Sequence, residues 1–178
     1  MLAFFASEHF TGSTSGGSSG NSTVAVGIPI IAGAKEVLKK YADRFDFHVV
    51  TSRQNLLEAE TLRWLKHWYP GVFRGVEFGN HYAQEGIHRS KPDMCKEIGA
   101  CLLIDDSMRY ATQCASAGIP VVLFGDYAWN AGKAPAGVQR ASDWAQVDRI
   151  LSDLASSRSS SSGASASSCT MDLSRPGT

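Results

Sequence analysis

Ser90-Lys-Pro-Asp-Met-Cys-Lys-Glu-Ile-Gly-Ala-Cys-Leu-Leu-Ile-Asp-Asp106 is the stretch of sequence that decides the fold. Ser90 is a good helix cap, and the proline two residues later falls in the first turn, where its missing N–H costs little. The apolar run Cys101–Ile104 then ends in two carboxylates, which is typical of a strand buried on both faces of a parallel sheet. A helix that leads into a parallel strand runs antiparallel to it, so Lys91 and the two aspartates are predicted to meet at one edge of the sheet. Ligands bind at this carboxyl edge in open α/β sheets.

The rest of the chain alternates between helix and strand patterns. Helices are predicted over residues 33–45, 54–69, 90–99, 107–117 and 142–154, and strands over 47–50, 72–78, 101–104 and 120–124. Such alternation indicates a three-layer α/β/α sandwich built on a parallel, Rossmann-like sheet.

Composition divides the chain into three parts. Residues 1–23, which include a Gly/Ser/Thr tract, are predicted to form a flexible amino-terminal segment. Residues 24–154 carry the α/β pattern and form the predicted domain. Residues 155–178 are rich in serine and are predicted to be a disordered tail.

Charge and cysteine content restrict the classes of partner and compartment. Seventeen basic and seventeen acidic residues give a formal net charge of zero, so bulk electrostatics favour neither nucleic acid nor an anionic membrane as a partner. The four cysteines show neither paired nor metal-ligand spacing, which favours reduced thiols and a cytoplasmic location. No apolar run reaches the length of a membrane span.

Polar residues at the predicted carboxyl edge suggest a phosphate and metal site. Thr51 and Ser52 follow a strand and precede a helix, where their hydroxyls could cradle an anion or merely cap the helix. Lys91 on its own would more often be a surface lysine. In the Asp105–Asp106 pair, one acid can cap the next helix, while the second is an additional charge that suits Mg²⁺.

Three segments together resemble a known family. Val-Val-Thr-Ser-Arg (49–53), Ser-Lys-Pro-Asp (90–93) and Leu-Leu-Ile-Asp-Asp-Ser (102–107) are similar, in this order, to the second, third and fourth motifs of the haloacid dehalogenase (HAD) superfamily. Within that superfamily the chain looks most like small phosphatases similar to the 5′(3′)-deoxyribonucleotidases. The resemblance covers roughly residues 29–130.

The resemblance implies a HAD-like fold and a Mg²⁺-dependent phosphomonoester hydrolase. It implies that Thr51 binds the transferring phosphoryl group with help from Ser52, and that Lys91 stabilises the nucleophile and the phosphoryl oxygens. Asp105 and Asp106 would hold Mg²⁺. Arg53 and the Trp129-Asn130 loop lie where they could meet the substrate, which would be a small phosphorylated molecule such as a nucleotide, or a phosphorylated macromolecule.

The sequence departs from the family at its first motif, a central strand that ends in Asp-x-Asp and supplies the nucleophile. No Asp-x-Asp occurs in the chain, and the only aspartates before Thr51 are Asp43 and Asp46. We therefore expect the first central strand to be missing. Two possibilities stay open: an amino-terminally incomplete chain, or a diverged, catalytically inactive module that binds phosphate, Mg²⁺ or another protein.

Two other α/β folds with edge sites are less consistent with the sequence. A receiver-like domain also uses acids and a lysine, but there the lysine follows the acid pair, whereas Lys91 precedes it. A Rossmann dinucleotide site would need G-x-G-x-x-G spacing, which residues 27–33 lack.

Overall fold

The computed structural model describes residues 2–4, 30–81 and 83–160. Six strands and five α-helices follow one another along the described chain: β1 (Leu2–Phe4), α1 (Ala34–Lys40), β2 (Phe47–Thr51), α2 (Glu58–Trp68), β3 (Phe73–Phe78), α3 (Lys91–Glu97), β4 (Leu102–Asp105), α4 (Met108–Ser116), β5 (Val121–Phe124), β6 (Val138–Ala141) and α5 (Trp144–Ser160). Short 3₁₀ turns at Asn55–Leu57 and Ala128–Asn130 precede α2 and β6.

The strands form one parallel sheet with the order β3-β2-β1-β4-β5-β6. The prediction that the first central strand is missing is wrong, because β1 pairs with β2 on one side and with β4 on the other. β1 falls within the segment predicted to be flexible, because three residues are too few to show a strand period and no carboxylate follows them in sequence. The next residues are Phe5-Ala6-Ser7.

Alternating side chains along the strands build a core on each face of the sheet. Val49, Ile104 and Phe124 pack with the helices α1, α2 and α5 on one face. Val50, Leu103 and Leu123 pack with α3 and α4 on the other. This period of two is expected of strands buried on both faces, and it confirms the predicted three-layer α/β/α sandwich.

Two predictions near the carboxyl-terminal end of the described chain differ from the structure: β6 was not predicted, and the last helix is longer than predicted. β6 lies outside the predicted strands because it is an edge strand in which Gln139 and Arg140 are only half-buried, so its sequence lacks a continuous apolar run. The last helix continues to Ser160, through the first residues of the predicted tail. Its start is capped by the Asp143 carboxylate, which accepts the N–H of Gln146 at 2.8 Å.

Three of the four cysteines lie in the part of the chain that the structure describes. Cys95, Cys101 and Cys114 are buried, and none of them forms a disulfide there. Within the described ranges, no helix is both long and apolar enough to cross a membrane.

Candidate functional site

A buried ion pair forms the centre of the predicted site. The Lys91 Nζ atom donates to Asp105 Oδ2 at 2.7 Å, and neither side chain is exposed to solvent. Ser90 caps α3 as predicted, since its hydroxyl accepts the Asp93 N–H at 3.3 Å. Because Asp105 ends β4 on the same face of the sheet as Leu103, it points to the side where α3 packs. The helix-to-strand geometry thus joins the lysine to the acid, as the sequence predicts.

The Asp105 carboxylate uses both of its oxygens. Oδ1 accepts the N–H of Ser107 at 2.8 Å, at the start of α4. Burial raises the pKa of Asp105, although Lys91 and this N–H act in the opposite direction. Asp105 is therefore held in place by a helix start and a cation, and its charge depends on both.

Two residues that the sequence did not single out lie next to this pair: Tyr110 contacts the ammonium group of Lys91, and His81 contacts Tyr110. The Lys91 Nζ lies 4.2 Å from the centre of the Tyr110 ring, a cation–π contact. The Tyr110 hydroxyl lies 3.0 Å from His81 Nδ1, and His81 Nε2 lies 2.8 Å from the carbonyl oxygen of Arg89. Because a carbonyl only accepts, the proton is on Nε2 and the tyrosine donates to Nδ1. A tyrosine within a helix has no sequence signal for this role.

Asp106 is buried beside Asp105, and Asn130 fixes its backbone. The Asn130 amide nitrogen lies 3.0 Å from the Asp106 carbonyl oxygen and 2.9 Å from that of Phe124, so it joins the ends of β4 and β5. Its Oδ1 accepts the Tyr127 N–H at 3.2 Å. Of the Trp129-Asn130 pair considered for substrate contact, Asn130 is thus a positioning residue, whereas Trp129 stacks on Tyr127 and is 46% exposed.

Thr51 and Ser52 lie at the carboxyl end of β2 and are buried. The Thr51 hydroxyl accepts the N–H of Arg53 at 3.2 Å. The Ser52 hydroxyl has no hydrogen-bond partner among the described residues. A buried hydroxyl without a partner costs free energy, so an edge that keeps one is suited to a polar ligand.

Arg53 has a different environment from the other predicted residues. Its guanidinium donates to the Thr61 hydroxyl of α2 at 3.0 Å. Burial lowers its pKa. The structure therefore brings Lys91 and Asp105 together and anchors Arg53 on the neighbouring helix.

The donor set at this edge suits Mg²⁺ better than a transition metal. Within the part of the chain that the structure describes, no three His, Cys, Asp or Glu residues form a metal-ligand group. Asp105 and Asp106 are adjacent buried carboxylates, and Mg²⁺ is commonly held by one or two carboxylates, waters and substrate phosphate. These two residues would hold such an ion.

The loop after β5 depends on Gly125, and substitution there should be costly. Its φ is +79°, and an added Cβ would lie 2.2 Å from the Tyr127 ring. Gly125→Ala should lower the free energy of unfolding by about 1–2 kcal/mol from the left-handed backbone and by roughly 1–3 kcal/mol more from the clash. Gly118→Ala is the matched control, with φ of +82° and no atom near its Cβ. Equal losses of stability in urea titrations would contradict the clash.

Comparisons with known proteins identify the fold. No family model and no curated protein matches the chain. Among solved structures it is similar to a 2-haloacid dehalogenase from Pseudomonas syringae (15% identity over 72% of this chain and 55% of that one, TM-score 0.52). It is also similar to a candidate beta-phosphoglucomutase from Thermotoga maritima (20% identity, 68% and 59%, TM-score 0.51). A third is a candidate phosphoglycolate phosphatase from Lactobacillus delbrueckii (14% identity, 67% and 52%, TM-score 0.50).

The chain spans only a little more than half the length of these structures. The likeness covers 67–72% of this chain. The chain therefore has the fold of the haloacid dehalogenase superfamily.

Proposed function

We propose that this edge binds the phosphoryl group of a phosphomonoester together with Mg²⁺, and that the chain belongs to a phosphatase of the nucleotidase-like kind. The observation that carries the proposal is the unpartnered, buried hydroxyl of Ser52 at the same sheet edge as the Lys91–Asp105 pair. Hydroxyl donors, an ammonium and paired acids are the groups that phosphoryl transfer requires. Hydrolysis is proposed for the whole protein, since the likeness extends over only part of the related structures.

The charges at the edge explain why phosphate would need a cation. The buried charged residues in the described ranges are one cation, Lys91, and two carboxylates, Asp105 and Asp106. A phosphate dianion placed beside this net negative charge would be repelled in a low-dielectric environment. A bound Mg²⁺ would supply the missing positive charge and polarise the phosphoryl oxygens. Phosphate and Mg²⁺ should therefore bind cooperatively.

The predicted site residues would each have a different role in binding the phosphoryl group. The Thr51 and Ser52 hydroxyls would donate to phosphoryl oxygens, and Lys91 would offer its ammonium to the same group. Asp105 would hold Lys91 in position. Hydrolysis would further require a carboxylate that attacks phosphorus while the ester P–O bond breaks, followed by attack of water on the acyl phosphate.

A second candidate function is phosphate binding without turnover. Phe5-Ala6-Ser7 follows β1 in the sequence, in the place where the family resemblance calls for Asp-x-Asp. None of these three side chains can act as a carboxylate nucleophile. A chain with this sequence would bind the phosphoryl group but would not form an aspartyl-phosphate.

Titration calorimetry with inorganic phosphate tests the proposal. With Mg²⁺ in excess over the protein, phosphate should bind, and removal of Mg²⁺ with EDTA should weaken binding by about tenfold or more, which corresponds to roughly 1.4 kcal/mol. The variant Asp106→Asn should lose this dependence on Mg²⁺. Absence of phosphate binding with Mg²⁺ present would refute the proposed function.

Ser52→Ala provides a test with two opposite effects. Removing a buried hydroxyl that lacks a partner should raise the free energy of unfolding by about 1 kcal/mol, while phosphate affinity falls. Ser152→Ala, which changes an exposed serine on α5, is the control and should leave phosphate affinity unchanged. If Ser52→Ala leaves affinity unchanged as well, the hydroxyl has no part in binding.

A further inference from the structure

A cavity of about 710 Å³ opens beside the proposed phosphate site. One wall is the loop that follows β2, and the other is the loop that follows β3. The residues that line it are Gln54, Asn55, Leu56, Asn80, Ala83, Gln84, Glu85 and Gly86. Its volume falls within the range of small-molecule sites in proteins.

Backbone hydrogen bonds join the two loops at Thr51 and Ser52, and Gln54, two residues after Ser52, is the first lining residue of the cavity. The Gly79 N–H donates to the Thr51 carbonyl at 2.7 Å, and the His81 N–H donates to the Ser52 carbonyl at 3.0 Å. The Asn80 N–H reaches the Arg53 carbonyl at 3.1 Å. The two walls therefore separate directly after the residues proposed to hold the phosphoryl group.

The side chain of Asn80 holds the two walls at a fixed spacing. It is 4% exposed; its Oδ1 accepts the Asn55 N–H at 3.1 Å, and its Nδ2 donates to the Glu85 carbonyl at 3.0 Å. The left-handed backbone of Asn80, with φ of 52°, is one that asparagine tolerates well. A Cβ on Gly86 would lie 2.9 Å from Nδ2, so the contact is close. The cavity is thus preformed by a buried polar clamp.

The lining determines which chemical groups fit. Gln54, Asn55 and Gln84 contribute amide side chains that can both donate and accept hydrogen bonds. Glu85 contributes a carboxylate, and among the described residues that line the cavity there is no lysine or arginine. A second anionic group of a substrate would meet this carboxylate with no cation from the lining to offset it. Uncharged hydroxyl or amide groups of a substrate would find hydrogen-bond partners in the amide side chains of the lining.

We infer that this cavity is the subsite for the non-phosphate part of the substrate, an uncharged, hydrogen-bonding group of the size of a sugar or nucleoside. The inference rests on the proposed function, because the phosphoryl group must lie at the adjoining edge. It adds that the loops after β2 and β3 select the substrate by amide contacts and reject a second anion. The groups that select the substrate would then belong to loops of the α/β domain itself.

Competition binding with four probes in the presence of Mg²⁺ tests the inference on the full chain. The probes are inorganic phosphate, ribose 5-phosphate, uridine 5′-monophosphate and 2-phosphoglycolate, which carries a carboxylate. At least one of the two esters whose non-phosphate part is uncharged, ribose 5-phosphate or uridine 5′-monophosphate, should bind about tenfold more tightly than phosphate. The 2-phosphoglycolate should bind no more tightly than phosphate. The two esters separate a sugar-sized from a nucleoside-sized occupant.

Variants in the cavity lining make the test specific. Gln84→Leu combined with Asn55→Leu should remove the tenfold preference for the ester and leave the Kd of inorganic phosphate unchanged. Glu85→Lys should raise the affinity for 2-phosphoglycolate. Gln113→Leu on α4 is the matched control, an exposed glutamine outside the cavity, and should change none of these affinities.

The outcomes separate this inference from the function on which it rests. If phosphate binds but both esters bind no more tightly, or if 2-phosphoglycolate binds best, the subsite is wrong and the phosphate site stands. If even inorganic phosphate fails to bind, both the subsite inference and the proposed function are wrong. A preference for the ester that survives the double leucine variant would also overturn the inference.

Discussion

Lys91→Met is expected to lower the free energy of unfolding by about 3–5 kcal/mol at pH 8, the cost of leaving one member of a buried ion pair alone. Asp105 would then be a charge with no exposure to solvent, whose cation 2.7 Å away has been removed. Methionine matches the length and flexibility of the lysine stem, so packing against Tyr110 is largely retained. Urea denaturation measures the loss.

The pH dependence of this loss identifies Asp105 as its cause. The pKa of Asp105 is already raised above its ordinary value of 3.8 by burial, and removing Lys91 takes away the largest opposing influence. A carboxyl group with a raised folded-state pKa stabilises the fold below its unfolded value, and this contribution is lost as the pH rises through the folded value. Lys91→Met should therefore be only slightly less stable than the parent near pH 4, and the gap should widen toward pH 8.

Two further variants separate the effect of charge from the effect of packing. Lys91→Met combined with Asp105→Asn should recover part of the lost stability, because Asp105 no longer leaves an unpaired buried charge. Lys40→Met removes the exposed partner of Asp148, a pair joined at the same distance of 2.7 Å, and should cost little because solvent screens it. A loss at Lys91 that is independent of pH and persists in the double variant would show that packing, rather than charge, stabilises the site.

If the proposed function is right, introducing an acid pair directly after β1 in the sequence should add turnover to phosphate binding. Phe4 is in register with Ile104, which precedes Asp105, and Phe5 follows Phe4 in the sequence. Phe5→Asp with Ser7→Asp recreates the missing Asp-x-Asp there. We expect Mg²⁺-dependent release of phosphate from a phosphomonoester to rise by at least about 10³-fold over the parent, since loss of a nucleophile typically costs about 10⁴-fold or more.

The reaction in this variant would follow a fixed course. The new carboxylate attacks phosphorus, the ester P–O bond breaks, and the second acid gives its proton to the leaving oxygen; water then releases phosphate and restores the carboxylate. Adding Asp105→Asn, or Phe5→Asn in place of Phe5→Asp, should return release to the parent level. A folded double variant that binds phosphate with Mg²⁺ yet releases none would favour the second function, binding alone.

Local geometry allowed the Lys91–Asp105 pair to be predicted from sequence. A capped helix, a glycine stop and a short apolar run leave few ways to arrange a segment whose ends are fourteen positions apart, so the two ends had to meet. The burial of the pair was not predicted, because lysine is seldom fully buried and its enclosure depends on Tyr110, which comes from a different helix. Contacts between side chains of different helices leave no periodic pattern in the sequence, so they cannot be predicted from it.

The edge and centre of the sheet were harder to predict than its buried strands. β6 is half polar and β1 is three residues long, so neither produces the apolar run that identifies β4 and β5. Asn80 and Asn130 escape prediction as organisers of the site for a related reason. Each joins loops from two strands, and an asparagine in a loop more often signals only a turn.

The position of β1 has a consequence for how the chain folds. In the described sheet, the pair β2–β3 and the group β4–β5–β6 touch along the sheet only through β1. The strand Leu2–Phe4 must therefore pair with β2 and β4, which lie far from it in sequence, and the entropy of closing those loops is lost before the contacts form. The helices on both faces also pack the two halves together, but the sheet itself becomes continuous only when β1 inserts. We therefore expect pairing of β1 to be a late step of folding, and the proposed phosphate site, whose parts lie on both sides of β1, to be completed with it.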